Sequence, residues 1–126
     1  MTTRVLLADD SDVMRRAIRG LLAERLDIEL VGEANDFTQT VEMTNEFKPQ
    51  VIVMDLNMKN DAMTLSDVKA RLNDCDARVV AISFSNDETA QTLANKFGAV
   101  TLLDKMELAD KLIPTIKKFS SPTAAA

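Results

Sequence analysis

Histidine, tryptophan and tyrosine are absent from the 126 residues, and cysteine occurs once, as Cys75. Without histidine there is no His-ligated zinc site, no Ser-His-Asp triad and no imidazole acid/base chemistry. A single cysteine excludes an internal disulfide and suits a reducing interior. Basic charge is in deficit: Lys and Arg number 15 against 20 Asp and Glu, a net charge of −5. That balance argues against a bare nucleic-acid binder, which needs a basic face to meet phosphates. Long hydrophobic runs are missing too. Met1-Thr2-Thr3-Arg4 leads only into Val5 to Ala8 before an acidic pair, too short for a signal-peptide core or a membrane span. The expectation is a cytoplasmic protein with neither membrane nor direct nucleic-acid contact. What is present suits one packed domain, with 46% hydrophobic and 28% charged residues. For chemistry there remain carboxylates, hydroxyls, lysines and an oxygen-loving cation.

Short aliphatic runs alternate with longer amphipathic ones. The strand candidates are Val5 to Ala8, Ile28 to Val31, Val51 to Met54, Val79 to Ile82 and Val100 to Leu103. None shows strict polar alternation, as expected of strands covered on both faces. Between them, apolar residues recur at helical spacing. Val13, Met14, Ala17, Ile18, Leu21 and Leu22 mark a first helix with Ser11 at its N-cap. Phe37, Val41, Thr44 and Phe47 mark a second, ended by Lys48-Pro49. Leu65, Val68 and Leu72 mark a third, and Ala90, Leu93, Ala94 and Phe97 a fourth, closed by Gly98. Leu108, Leu112, Ile113 and Ile116 mark a fifth, in which Pro114 predicts a bend or a loosened turn. Five strand–helix units read as an α/β fold, a parallel sheet wrapped by helices on both faces. The domain is expected over residues 1–119, with 120–126 a disordered tail or linker stump.

In open parallel sheets, ligands gather at the carboxyl ends of the strands. Those ends carry Asp9-Asp10, then Asp55 followed by Asn57, then Ser83, then the region of Lys105. Each has an ordinary use: capping for the acidic pair, a turn for Asp55, a strand-end hydroxyl for Ser83, a solvated ammonium for Lys105. The joint pattern is far more specific than any member. Three converging carboxylates repel one another unless protons or a cation sit among them. An all-oxygen donor set suits Mg²⁺ or Mn²⁺ rather than zinc or copper. A carboxylate beside such an ion can act as nucleophile toward a phosphoryl group, forming an aspartyl-phosphate. Lys105 and Ser83 would then neutralise and hydrogen-bond the remaining phosphoryl oxygens.

The stretches L-L-A-D-D-S-D-V-M-R-R-A-I-R-G-L-L and V-I-V-M-D-L-N-M, with Ser83 and Lys105, resemble the receiver domain of two-component response regulators. The likeness spans Arg4 to Phe119. A-I-S-F-S-N-D-E is closest to the helix-turn-helix subgroup that includes nitrate-responsive regulators; a stand-alone chemotaxis-type receiver is the other form considered. The resemblance implies a flavodoxin-like three-layer sandwich with strand order 2-1-3-4-5 and five helices. It also implies that Asp55 is the phosphoacceptor and that Asp10 binds Mg²⁺ directly, helped by Asp9. Asn57 would lend its backbone carbonyl to the metal, Ser83 would be the switch hydroxyl, and Lys105 would pair with the phosphate. The implied partner is a sensor histidine kinase or a phosphotransfer protein; a homodimer is the further pairing considered, with the oligomeric state left open.

Several positions depart from the family pattern. Lys59 replaces the usual Pro, and Lys59-Asn60-Asp61-Ala62-Met63 contains no Gly. Met106 follows Lys105 where a cis-linked Pro is usual, and Asp104 is placed to compete for the Lys105 ammonium. The aromatic switch position of the fifth strand carries Leu102, or Thr101 in a slipped register. Phe84 is bulkier than the usual residue there and is predicted to shield the phosphosite. The leading expectation is a phosphorylation-driven switch of the surface formed by the fourth helix, fifth strand and fifth helix. The domain would catalyse only its own phosphorylation and dephosphorylation. The alternative is a phosphorylation-independent docking or dimerisation module. A Mg²⁺-dependent phosphohydrolase is disfavoured, because Asn57 stands where a second acid is wanted and no room remains for a substrate cap. A flavodoxin-type cofactor binder is disfavoured because Asp9 and Asp10 occupy the place of a phosphate loop.

Overall fold

A computed structural model of the chain describes residues 2–58, 65–73 and 75–120. In chain order the elements are β1 (Thr3–Ala8), α1 (Asp12–Ala23), β2 (Ile28–Ala34), α2 (Phe37–Phe47), β3 (Val51–Asp55), α3 (Leu65–Asn73), β4 (Arg78–Ser83), α4 (Glu88–Lys96), β5 (Thr101–Asp104) and α5 (Leu108–Ser120). A single 3₁₀ turn, Lys105–Glu107, joins β5 to α5. The strands form one sheet of order 2-1-3-4-5, every pair parallel. The predicted architecture is the observed one.

Successive side chains of a strand point to opposite faces, so a run of aliphatic residues fills two cores at once. Val5, Leu7, Val51, Val53, Val80 and Ile82 face one side, against Ile18 and Leu22 of α1 and Leu108, Leu112 and Ile116 of α5. Leu6, Ala8, Ile52, Met54, Val79 and Ala81 face the other. There they meet Phe37 and Val41 of α2, Val68 and Leu72 of α3, and Ala90, Ala94 and Phe97 from α4 and its cap. The rings of Phe37 and Phe97 stack at 5.3 Å, tying α2 to α4 across that core.

Local signals set the helix ends. The Ser11 side chain accepts the Met14 N–H, as an N-cap does. Lys48 caps α2 in the left-handed region (φ 48°), and Pro49 follows. Gly98 takes φ 73° one residue after the cap of α4, a conformation that L side chains rarely adopt.

The differences from the sequence reading are local. Strand β2 runs on to Ala34, because Gly32, Glu33 and Ala34 pair with Leu6, Leu7 and Ala8 after a register shift. Val100 stands outside β5, although its N–H still bonds the Val79 carbonyl. Val13 is 73% exposed and Ala17 is exposed, because α1 seats on the sheet through Ile18 and Leu22, with Met14 and Leu21 partly buried. Helix α5 continues through Pro114 and takes in Ser120. Asp110 and Pro114 are both exposed, so the carbonyl left without an N–H partner lies on the solvent side while Leu112 and Ile116 keep the inner stripe. The Lys59–Met63 departures and the tail beyond Ser120 lie outside the described residues.

Candidate functional site

Because all five strands are parallel, their carboxyl ends share one rim. Strand β1 delivers Asp9, fully buried, and then Asp10; β3 ends in Asp55, 3% exposed; β4 ends in Ser83, 1% exposed. Backbone amides hold the acids in place. Asp9 Oδ1 accepts the Ser11 N–H at 2.9 Å, and Asp55 Oδ1 accepts the Asn57 N–H at 3.1 Å. The Arg15 guanidinium donates to the Asp9 carbonyl at 2.6 Å, a brace from α1 that the sequence pattern did not signal. Ser83 Oγ accepts the Ser85 N–H at 3.1 Å and lies 3.5 Å from Asn57 Nδ2.

Lys105 directly follows the last residue of β5 and opens the 3₁₀ turn. Its Nζ lies 2.8 Å from Asp9 Oδ2 and 3.4 Å from Asp55 Oδ1, and its side chain is 6% exposed. The competition expected from Asp104 does not occur. That carboxylate accepts the Met106 N–H at 2.9 Å and caps the 3₁₀ turn, leaving the ammonium to the buried acids. Leu102 packs against the core on the α2–α3–α4 side, so an aliphatic chain holds the strand-five position. Phe84 is 61% exposed, with its ring centroid 5.0 Å from Lys105 Nζ.

One oxygen each of Asp9, Asp10 and Asp55 lies within 4.8 Å of the others. Asp9 Oδ2 is buried and takes no well-aligned hydrogen bond, even though Lys105 Nζ pairs with it by charge. A hard divalent cation fits these donors: oxygens alone, crowded, one of them without a well-aligned hydrogen bond. Burial pushes the Asp55 carboxyl above the usual carboxylate range, and the Asp9 charge adds to it. The Asn57 N–H and the Lys105 ammonium pull the other way. A cavity of about 230 Å³ beside this rim is lined by Asn57, Ser83, Ser85 and the start of α4. A roomier one, about 460 Å³, opens at the opposite end of the sheet among Lys48, Gln50, Arg78 and Phe119, and holds none of the predicted site residues.

Residues 5–117 match the family described as "Response regulator receiver domain". The chain belongs to that family. Among its relatives, the nitrate/nitrite response regulator NarL of Escherichia coli K12 is 37% identical over 111 residues, covering 86% of this chain and 50% of that protein. The transcriptional regulatory protein DegU of Brevibacillus brevis is 31% identical over 116 residues, covering 90% of this chain and 48% of its own length. The crystal structure of the response regulator domain of Thermotoga maritima CheB superposes with a TM-score of 0.82 at 26% identity, covering 95% of this chain and 97% of that one. This receiver domain spans half or less of the length of the two curated relatives. No helix among its described residues is long and apolar enough to cross a membrane.

Proposed function

We propose that this receiver domain accepts a phosphoryl group on Asp55 from a histidine kinase or phosphotransfer protein and so switches the α4–β5–α5 surface. An Asp55 Oδ attacks the phosphorus of a phosphoimidazole, the O–P bond forms as the P–N bond breaks, and the leaving imidazole keeps the electron pair and takes a proton. Asp9, Asp10, Asp55 and the Asn57 carbonyl would hold Mg²⁺. Bound there, the ion would draw carboxylate and phosphoryl oxygens together and offset their charge. Lys105 would pair with a phosphoryl oxygen in place of Asp55 Oδ1, and Ser83 Oγ–H would donate to another. That turns Ser83 away from Ser85 and shifts the start of α4. The domain catalyses only its own phosphorylation and dephosphorylation, works in the cytoplasm, and pairs with a second copy through the switched surface.

The observation that carries this reading is the placing of the Lys105 ammonium between two buried carboxylates, beside a buried Ser83. With Mg²⁺ and an acyl-phosphate donor, the protein should gain one phosphoryl mass, stable in acid and labile in base. Equal gain by Asp55→Asn refutes the assignment.

A second reading has its own observation. Leu102 fills the strand-five position, and the chain holds no tyrosine, so the usual aromatic coupling to Ser83 has no side chain to carry it. A phosphorylation-independent docking module would then show partner affinity and dimerisation unchanged by a beryllofluoride mimic.

A further inference from the structure

Lys105 Nζ is enclosed on three sides. Asp9 Oδ2 and Asp55 Oδ1 hold it from within, at 2.8 Å and 3.4 Å, and the Phe84 ring lies over it at 5.0 Å from the solvent side. Phe84 is itself 61% exposed, so burial of its own apolar surface does not explain where the ring lies. The sheet brings the two residues together. Ser83 pairs with Asp104 at the end of the β4–β5 ladder, so the next residue of each strand stands alongside the other. Asp104, the acid nearest in sequence, is spent on capping the 3₁₀ turn.

We propose that Phe84 is a positioning residue that acts through Lys105, its ring holding the ammonium down on Asp9 and Asp55 and thereby setting how strongly a divalent cation can compete for those oxygens. This rests on the metal-site reading above and goes beyond simple shielding of the site. The negative face of an aromatic ring attracts an ammonium, and the attraction grows when water is excluded, as it is around a side chain only 6% exposed. Each contribution that favours the inward lysine must be overcome when a second cation takes the same carboxylates. A leucine at position 84 keeps bulk and loses the ring's charge distribution; a tyrosine keeps both.

The full chain is examined as wild type, Phe84→Leu and Phe84→Tyr. In NMR spectra, the Lys105 ε-protons should be shifted upfield by the ring in the wild type and in Phe84→Tyr, and should return to ordinary lysine positions in Phe84→Leu. By calorimetric titration, Phe84→Leu should bind Mg²⁺ about two- to five-fold tighter than wild type, and Phe84→Tyr should match wild type. In a Lys105→Met background, Phe84→Leu should add nothing. Unshifted Lys105 ε-protons in the wild type overturn the proposal, as does a Phe84→Leu affinity equal to wild type while Lys105→Met tightens binding. If no variant binds Mg²⁺, it is the metal reading that fails, and the Lys105 signal alone decides the role of Phe84.

Discussion

At the scale of single residues, the site is a balance among buried charges. Taking charges out of water is costly, and breaking one buried pair costs more than the pair gains over an apolar replacement. Lys105→Met leaves Asp9 and Asp55 facing each other without their ammonium and should destabilise the fold by about 3 kcal/mol. Urea unfolding measures this, and added Mg²⁺ should recover part of the loss by binding the folded state. Asp55 gives a pH dependence whose sign follows from its raised pKa. The folded state binds the Asp55 proton more tightly than the unfolded chain does, so stability from this group is full below the ordinary value of 3.8. It is lost as pH rises through the raised value. Asp55→Asn carries no such charge and should be more stable than wild type at pH 7, by about 1 kcal/mol. Thermal melts across pH should show that gap closing on acidification; a gap independent of pH would contradict the burial argument. The carboxylates were legible in the sequence because each stands at a strand end. Lys105 was legible in the same way, but the role of Asp104 was not, since only the following turn commits its carboxylate to the Met106 N–H instead of to the neighbouring ammonium.

At the scale of elements, helix ends obeyed local chemistry and helix interiors obeyed packing. Ser11→Ala removes the oxygen that accepts the Met14 N–H and should cost about 1 kcal/mol, seen as a lower urea midpoint with unchanged slope. Pro114 illustrates the converse. Proline removes one helical hydrogen bond and crowds the carbonyl four residues back, yet α5 continues through it. Buried Leu108, Leu112 and Ile116 anchor both halves of the helix to the sheet, while the affected carbonyl stands at exposed Asp110. Pro114→Ala restores the donor and should stabilise the protein by about 1–3 kcal/mol, with stronger amide protection around residue 114 in hydrogen exchange. The exposure of Val13 has the same origin. Periodicity marks an apolar stripe but leaves its width open, and the seating of α1 on β2 and α5 decides which flank meets water.

At the scale of the whole molecule, one sheet divides two cores, and both must form for either to be covered. Leu112→Ala empties space on the α1–α5 side, and Ile52→Ala does so on the side of α2, α3 and α4. Each should cost about 2–5 kcal/mol, and the double variant close to their sum, because the two sites lie on opposite faces of the sheet. A single cooperative transition in every variant, by both fluorescence-free probes such as far-UV dichroism and calorimetry, is the expected behaviour of one domain. Two separate transitions would mean that the cores fold independently. The same two-sided cover explains why the strands read as aliphatic runs and why strand boundaries drifted. Ladder pairing extends β2 through Gly32-Glu33-Ala34, where hydrophobicity alone falls away.

The sequence by itself determined the number and order of the elements, the parallel sheet, and the set of residues carried to its carboxyl-end rim. These follow from periodicity and strand-end position, which are properties of neighbours along the chain. The tertiary structure alone decided that Asp104 caps the turn instead of competing for the Lys105 ammonium, that Arg15 braces Asp9, and that the Phe84 ring closes over the ammonium. Those contacts join residues on different elements. They depend on register and on a few ångströms of approach, distances that no spacing within the chain encodes.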